Sequence, residues 1–208
     1  MQVFKLITGS MRTNCFIVSN DGSSECLIID PGNDADKIVE FLSEKRLTPA
    51  AVLLTHGHFD HILGLKKLLK IYSMPVYALA EEKALLEHAE INCSADFHDD
   101  FELSPDVLLK DGEIIKPAEV LLKVLKTPGH TKGSCCYYSE DAGIIFTGDT
   151  LFFRTIGSTD FPTGDFKEIC DSLVKLKNLP EETVVYTGHG PDTTIGSEKR
   201  QNLYLRGL

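Results

Sequence analysis

The sequence holds no Cys-x-x-Cys pair, no block of Lys and Arg, and no run of 18 apolar residues. Without paired thiolates a cysteine-held zinc site is unsupported, and the six cysteines (15, 26, 93, 135, 136 and 170) are irregularly spaced. A chain of 208 residues buries roughly 70% of its unfolded surface, so its core needs no disulfide. Cys135 and Cys136 are adjacent and poorly placed to bridge each other; reduced, mostly buried thiols are expected. Lys plus Arg number 21 against 31 Asp plus Glu, a formal charge of −10, which speaks against a nucleic-acid partner. No stretch is long and apolar enough for a membrane span. The opening MQVFKLITGS lacks the basic-then-apolar order of a secretory leader, so a cytoplasmic location is expected. No low-complexity segment, long repeat or linker breaks the chain, and residues 1–208 are read as one domain.

What is present is ordinary globular material, 42% hydrophobic and 25% charged, which excludes disorder, collagen and coiled coil. Short strands open the chain (VFKLI, NCFIVS and ECLIID), with a hairpin turn at Asn20-Asp21-Gly22. Helical spacing covers residues 34–46, 62–72 and 81–90, separated by strands at 51–54 and 75–79. Residues 91–106 fit neither period and read as a loop or lid. From Val107 the pattern returns to strands (VLLK, EVLLKVLKT, CCYYS, GIIFTGD), then a helix over 165–177, the strand TVVYTGH and a last short helix from Ser197. Strands with helices spread between them predict an α/β layered domain.

The chemistry concentrates at THGHFDH, residues 55–61, where His56, His58, Asp60 and His61 fall within six positions of a chain with 7 histidines. In an extended segment His56 and His58 project the same way, and the apolar strand before them puts the cluster at a strand end. Imidazole and carboxylate together suit zinc or iron. His130 (KTPGHTKGS), His189 (YTGHGPD) and Asp149 (IIFTGDT) each follow a strand and a Gly turn. The set is enough for two metals sharing one carboxylate, an arrangement that can hold a bridging hydroxide and polarise a carbonyl.

This combination of THxHxDH, Pro-Gly-His, Gly-Asp-Thr and Gly-His resembles the metallo-β-lactamase superfamily. IDPG near residue 30, TPGHTKGS, FTGDTLF and IGSTDFP resemble, within it, the short single-domain glyoxalase II-like hydrolases. The resemblance implies an αββα sandwich of two mixed β-sheets flanked by helices, with metals at one edge. By the family pattern His56, His58 and His130 hold one ion, Asp60, His61 and His189 the other, and Asp149 bridges. Two divalent ions are implied, zinc first, with iron or manganese as alternatives. The implied activity is hydrolysis of a small-molecule thioester or ester by a metal-bridging hydroxide whose proton Asp60 accepts or orients, in a monomer or homodimer. Glutathione-dependent members carry a basic residue where this chain has Ile156-Gly157-Ser158-Thr159-Asp160, and a longer helical C-terminus, so a weak hold on glutathione is expected. The rival readings are an iron-dependent persulfide dioxygenase and a lactone, ester or β-lactam hydrolase.

Other positions carry two readings each. Asp30 is either an acceptor orienting a site loop or a plain turn residue; Thr55 and Thr131 are site hydroxyls or turn residues. Phe152, Phe153, Arg154 and Phe161 line a pocket or belong to the core. His98, in DFHDD, reads as part of a solvated acidic loop, and His88 has no ligand-type surroundings.

Overall fold

In the computed structural model, which describes residues 1–208, the first half of the chain lays down a six-stranded sheet in chain order. Its strands are β1 (Gln2–Thr8), β2 (Thr13–Ser19), β3 (Glu25–Ile29), β4 (Thr48–Leu53), β5 (Val76–Leu79) and β6 (Val107–Leu109). The first three pair antiparallel and the last three join parallel, through crossovers. The second half builds another six-stranded sheet from β7 (Ile114–Ile115), β8 (Leu122–Lys126), β9 (Cys135–Ser139), β10 (Ile144–Gly148), β13 (Val184–Thr187) and β14 (Thr193–Thr194). There β10 and β13 run parallel and the other pairs antiparallel. A small hairpin, β11 (Leu151–Phe152) with β12 (Thr155–Ile156), follows β10.

Alternation along the buried strands explains the stacking. In β2, Phe16 and Val18 enter the layer between the sheets, which they share with Val124, Tyr137 and Phe146 of the second sheet. Cys15 and Ile17 point the other way, into a layer with Ile38 and Leu42 of α1 (Ala35–Lys45) and Leu65 and Leu68 of α3 (Leu65–Ile71). On the far side, Ile145 and Val185 pack with Leu173 and Leu176 of α5 (Phe166–Lys177), Ile195 of α6 (Ile195–Gln201) and Leu205 of α7 (Leu203–Arg206). Strands apolar on both faces can only sit between two covering layers, and the αββα sandwich follows. All six cysteines are free; five are buried and Cys170 is half-buried. No helix is long and apolar enough to cross a membrane.

Two helices depart from the sequence reading. The predicted helix over 62–72 is split into α2 (Phe59–Ile62) and α3. Gly64 lies at the break because its N–H donates to the Pro31 carbonyl (3.0 Å), so the Asp30-Pro31-Gly32 turn presses directly against it. The helix predicted over 81–90 shortens to a 3₁₀ turn at Ala80–Glu82 and α4 (Lys83–Leu86). Residues 91–106 form a loop with one 3₁₀ turn at Ala95–Phe97. It lies against α2: Phe59 N–H donates to the Asn92 carbonyl (2.9 Å), and the Phe59 and Phe97 rings stack at 4.0 Å.

Candidate metal centre

Each candidate ligand lies just beyond the C-terminal end of a strand: His56 to His61 after β4, His130 after β8, Asp149 after β10 and His189 after β13, with Asp30 beside them after β3. The second sheet places three of these ends beside the β4 end of the first, at one edge of the sandwich. His58 is extended (φ −64°, ψ 147°) and starts α2, which turns Asp60 and His61 inward behind it. Gly188 leaves room for Asp149, since a Cβ there would come within 2.1 Å of Asp149 Oδ1.

Three groups of donor atoms converge, and one of them joins Asp30 to His56 and His61. The other two are the predicted triplets, His56, His58 and His130 in one, Asp60, His61 and His189 in the other. Asp149 lies between them. Its Oδ2 is 3.6 Å from His130 Nε2 and 3.5 Å from His189 Nε2, and its Oδ1 is 3.3 Å from His61 Nε2. Asp60 Oδ2 is 3.2 Å from His189 Nε2 and accepts a hydrogen bond from Thr13 Oγ1 at 2.7 Å. All seven residues predicted as ligands are thus brought together. His88 and His98 stand apart, His88 Nδ1 being bonded to the Ala84 carbonyl (2.8 Å) and His98 exposed.

The chemistry of the donors fits cations. His56 Nε2, His58 Nε2 and Asp149 Oδ1 are buried without a hydrogen-bond partner, a cost that native interiors rarely carry. Burial, reinforced by neighbouring imidazoles, holds His56 well below its ordinary pKa and takes His58 down to about 3, so both keep lone pairs at neutral pH. Around the second triplet the sign reverses. Burial would lower His61, but the carboxylates of Asp60, Asp149 and Asp30 outweigh it and raise it well above the imidazole range. Burial would likewise raise Asp60 and Asp149, yet His61 and its neighbours hold both below the usual carboxylate range. Three carboxylates converging in a largely buried pocket demand positive charge at its centre.

A family model for the metallo-beta-lactamase superfamily matches residues 8–189, a stretch containing every residue of this cluster. The chain belongs to the metallo-beta-lactamase superfamily. The superfamily and this His/Asp set imply a metal-dependent enzyme that takes divalent metal ions. A probable metallo-hydrolase of Bacillus subtilis, YqgX, is 41% identical over 210 residues, covering 98% of this chain and 97% of its own. A hydroxyacylglutathione hydrolase of Haemophilus influenzae, GloC, is 32% identical over 200 residues, covering 94% of each chain. Among solved structures, the BLEG-1 B3 metallo-beta-lactamase superposes with a TM-score of 0.93 at 36% identity, over 98% of this chain and 99% of that one. TTHA1623 in a di-iron-bound form gives 0.86 at 32% identity, over 98% and 100%.

Several residues around the superfamily cluster take roles the sequence leaves open or conceals. Asp30, buried and at positive φ (51°), accepts from Thr55 N–H (2.8 Å) and Thr55 Oγ1 (2.6 Å) and faces His61 Nδ1 at 3.0 Å. It therefore turns His61 Nε2 toward Asp149, as an orienting acceptor does. Glu82 is the residue that sequence reasoning misses. Its carboxylate is 1% exposed and accepts from Gly57 N–H (2.7 Å), Thr131 Oγ1 (2.9 Å) and Gly133 N–H (2.9 Å), joining the loop that carries His58 to the loop that carries His130. Burial raises its pKa to about 7 against these donors. A signal exists: Glu82 shares the i, i+3, i+4, i+7 stripe of Leu85, Leu86 and Ala89, all buried, where an acid is out of place. Of the phenylalanines, Phe161 is 47% exposed and sets its edge against His58 with centroids 5.2 Å apart, Phe152 lies 5.9 Å from His189, and Phe153 is covered by Arg154 at 4.7 Å. Phe161 and Phe152 belong to the mouth of the site, and Phe153 is an exposed partner of Arg154 outside the core.

Proposed function

We propose that the chain is a binuclear hydrolase of thioesters. His56, His58 and His130 would hold one ion, Asp60, His61 and His189 the other, and Asp149 would serve both. The observation that carries this reading is the placement of Asp149 within 3.6 Å of imidazoles from both triplets. Bound divalent ions supply a water nucleophile at neutral pH and a Lewis acid for the substrate carbonyl. Zinc is the proposed occupant, and the di-iron-bound neighbour makes iron the alternative.

The chain's own residues supply the rest. Thr13 fixes Asp60 from behind through Oγ1 (2.7 Å), leaving the carboxylate placed to accept or orient a proton at the centre of the cluster. Asp30 and Glu82 keep the imidazole loops from shifting when charge builds up. No side chain of the cluster is reserved as a general acid for a leaving group. A thiolate departs without one; an amide nitrogen does not. Thioesters therefore suit this site better than β-lactams, in line with the similarity to a hydroxyacylglutathione hydrolase.

The likeness to a B3 metallo-beta-lactamase supports a second reading, hydrolysis of a β-lactam ring. The test is a panel on protein loaded with zinc and, separately, with iron: acyl thioesters, a penicillin-type β-lactam, a simple lactone, and a persulfide with oxygen uptake recorded. Thioester turnover at least a hundredfold above the other substrates is expected. Preferred β-lactam turnover would transfer the proposal to the second reading, and persulfide-dependent oxygen uptake would end both.

A further inference from the structure

We propose that Arg12 is the anion-recognising residue of the substrate pocket, and that the preferred substrate carries a carboxylate on the arm that lies beside His189. The substrate class rests on the thioester reading above. A cavity of about 460 Å³ opens next to His189 and is lined by Ile7, Met11, Arg12, Asn14 and Pro191 among others. That is room for a small ligand. Its walls are polarised: Ile7 and Met11 are exposed apolar groups (38% and 50%), and Arg12 is the cationic side chain among the residues that line it.

Arg12 is free to bind. It is exposed and forms no ion pair, whereas Lys5 on the same hairpin is taken up by Asp192 at 2.8 Å. Asn14 is occupied as well, its Nδ2 donating to the carbonyls of Thr187 and Gly190, both at 2.9 Å. The position of Arg12 is built rather than incidental. Gly9 N–H donates to Asp34 Oδ2 (2.8 Å), Arg12 N–H closes back on the Gly9 carbonyl (3.2 Å), and the next residue, Thr13, forms an isolated bridge with His189. Arg12 itself takes a left-handed backbone (φ 58°) as the last residue of the turn between β1 and β2. The hairpin tip thereby fixes the backbone from which the Arg12 side chain lines the cavity beside His189.

Electrostatics gives the cation a purpose. With a formal charge of −10 the molecule repels anions at long range, so an anionic substrate needs a local cation at the site. A guanidinium matches a carboxylate with two parallel N–H donors. Phe161 flanks the His58 and His130 side of the cluster and Phe152 lies against His189, while the cavity beside His189 has Arg12 as its cation.

The experiment compares S-acetyl-3-mercaptopropionate with its carboxamide, which has the same shape without the charge, on metal-loaded wild type, Arg12→Gln and Arg12→Lys. Wild type should favour the carboxylate about tenfold through KM with similar kcat, a preference that shrinks as salt rises from 0.05 to 0.5 M (ionic strengths spanning Debye lengths from roughly 14 to 4 Å). Arg12→Gln should bring the ratio close to one, and Arg12→Lys, a point charge without the paired donors, should keep only part of it. Calorimetry with the inert thioethers S-acetonyl-3-mercaptopropionate and its carboxamide reads the same ratio without turnover. An unchanged ratio in Arg12→Gln, in both turnover and binding, would overturn the role of Arg12. If neither thioester is hydrolysed while the thioether pair is still discriminated through Arg12, the thioester reading falls and the anion site stands.

Discussion

Asp149 and His189 sit within 3.5 Å of each other yet serve different parts of the cluster, and this separates the effects of removing them. Asp149→Ala should lose both ions, because its two oxygens face imidazoles of both triplets; His189→Ala should lose mainly one. Turnover should fall by orders of magnitude in each, and elemental analysis should tell them apart. Retention of two ions by Asp149→Ala would refute the bridging role. Glu82→Gln tests the brace behind the site. An amide keeps the shape but replaces one acceptor oxygen with a donor, setting N–H against the Gly57 or Gly133 N–H. A urea melt should show a loss of about 2 kcal/mol, and affinity at the His58 and His130 site should drop about tenfold. The seven candidate ligands were legible because His and Asp stand beside Gly turns at strand ends, a pattern with its own chemical meaning. Glu82 was not, because its bracing role exists only after two distant loops meet over it.

At the level of elements, α5 is the support of the His130 turn. Asp165 caps the helix by accepting from Glu168 N–H (2.9 Å) and donates its own N–H to the Gly129 carbonyl (2.8 Å), while Ser172 Oγ donates to the Pro128 carbonyl (2.7 Å). Gly129 takes φ +128°, and a Cβ there would fall 2.2 Å from the Ile169 nitrogen. Gly129→Ala must therefore push the turn off the helix. It should cost about 3 kcal/mol or more and weaken the His130 site, whereas Asp165→Ala should cost about 1 kcal/mol. Thermal melts and metal titration of both variants check this; equal, small losses would show that the turn does not depend on the helix. Long strands and α1 and α5 were legible from period alone, since each buries one clear stripe or both faces. The break at Gly64 and the shortened α4 were not. Both arise where backbone or a carboxylate is claimed by a partner far along the chain, and local spacing at most marks Glu82 as out of place without naming that partner.

Across the whole molecule, metal binding and folding are coupled, since the ligands come from strand ends of both sheets. Ions that bind only the folded chain add about 2.7 kcal/mol at a hundredfold excess over Kd for each site, so chelation of both should lower Tm by roughly 10–20 °C. Scanning calorimetry before and after chelation, with two ions per chain regained on reloading, checks it; an unchanged Tm would show that the ions contribute nothing to the folded state. The same geometry has a consequence for biosynthesis. His189 follows β13, which pairs with β10, and Thr13 near the other terminus bridges to it. Chains emerge from the ribosome N-terminus first, so His56, His58 and His130 are all available while His189 is still unmade. On the proposed ligand set a nascent chain would assemble the first triplet early but complete the pair only once β13 has joined β10. Binding of the second ion would then report that the second sheet has closed, and a chain truncated before His189 would be left as a single-ion species with its substrate mouth unfinished.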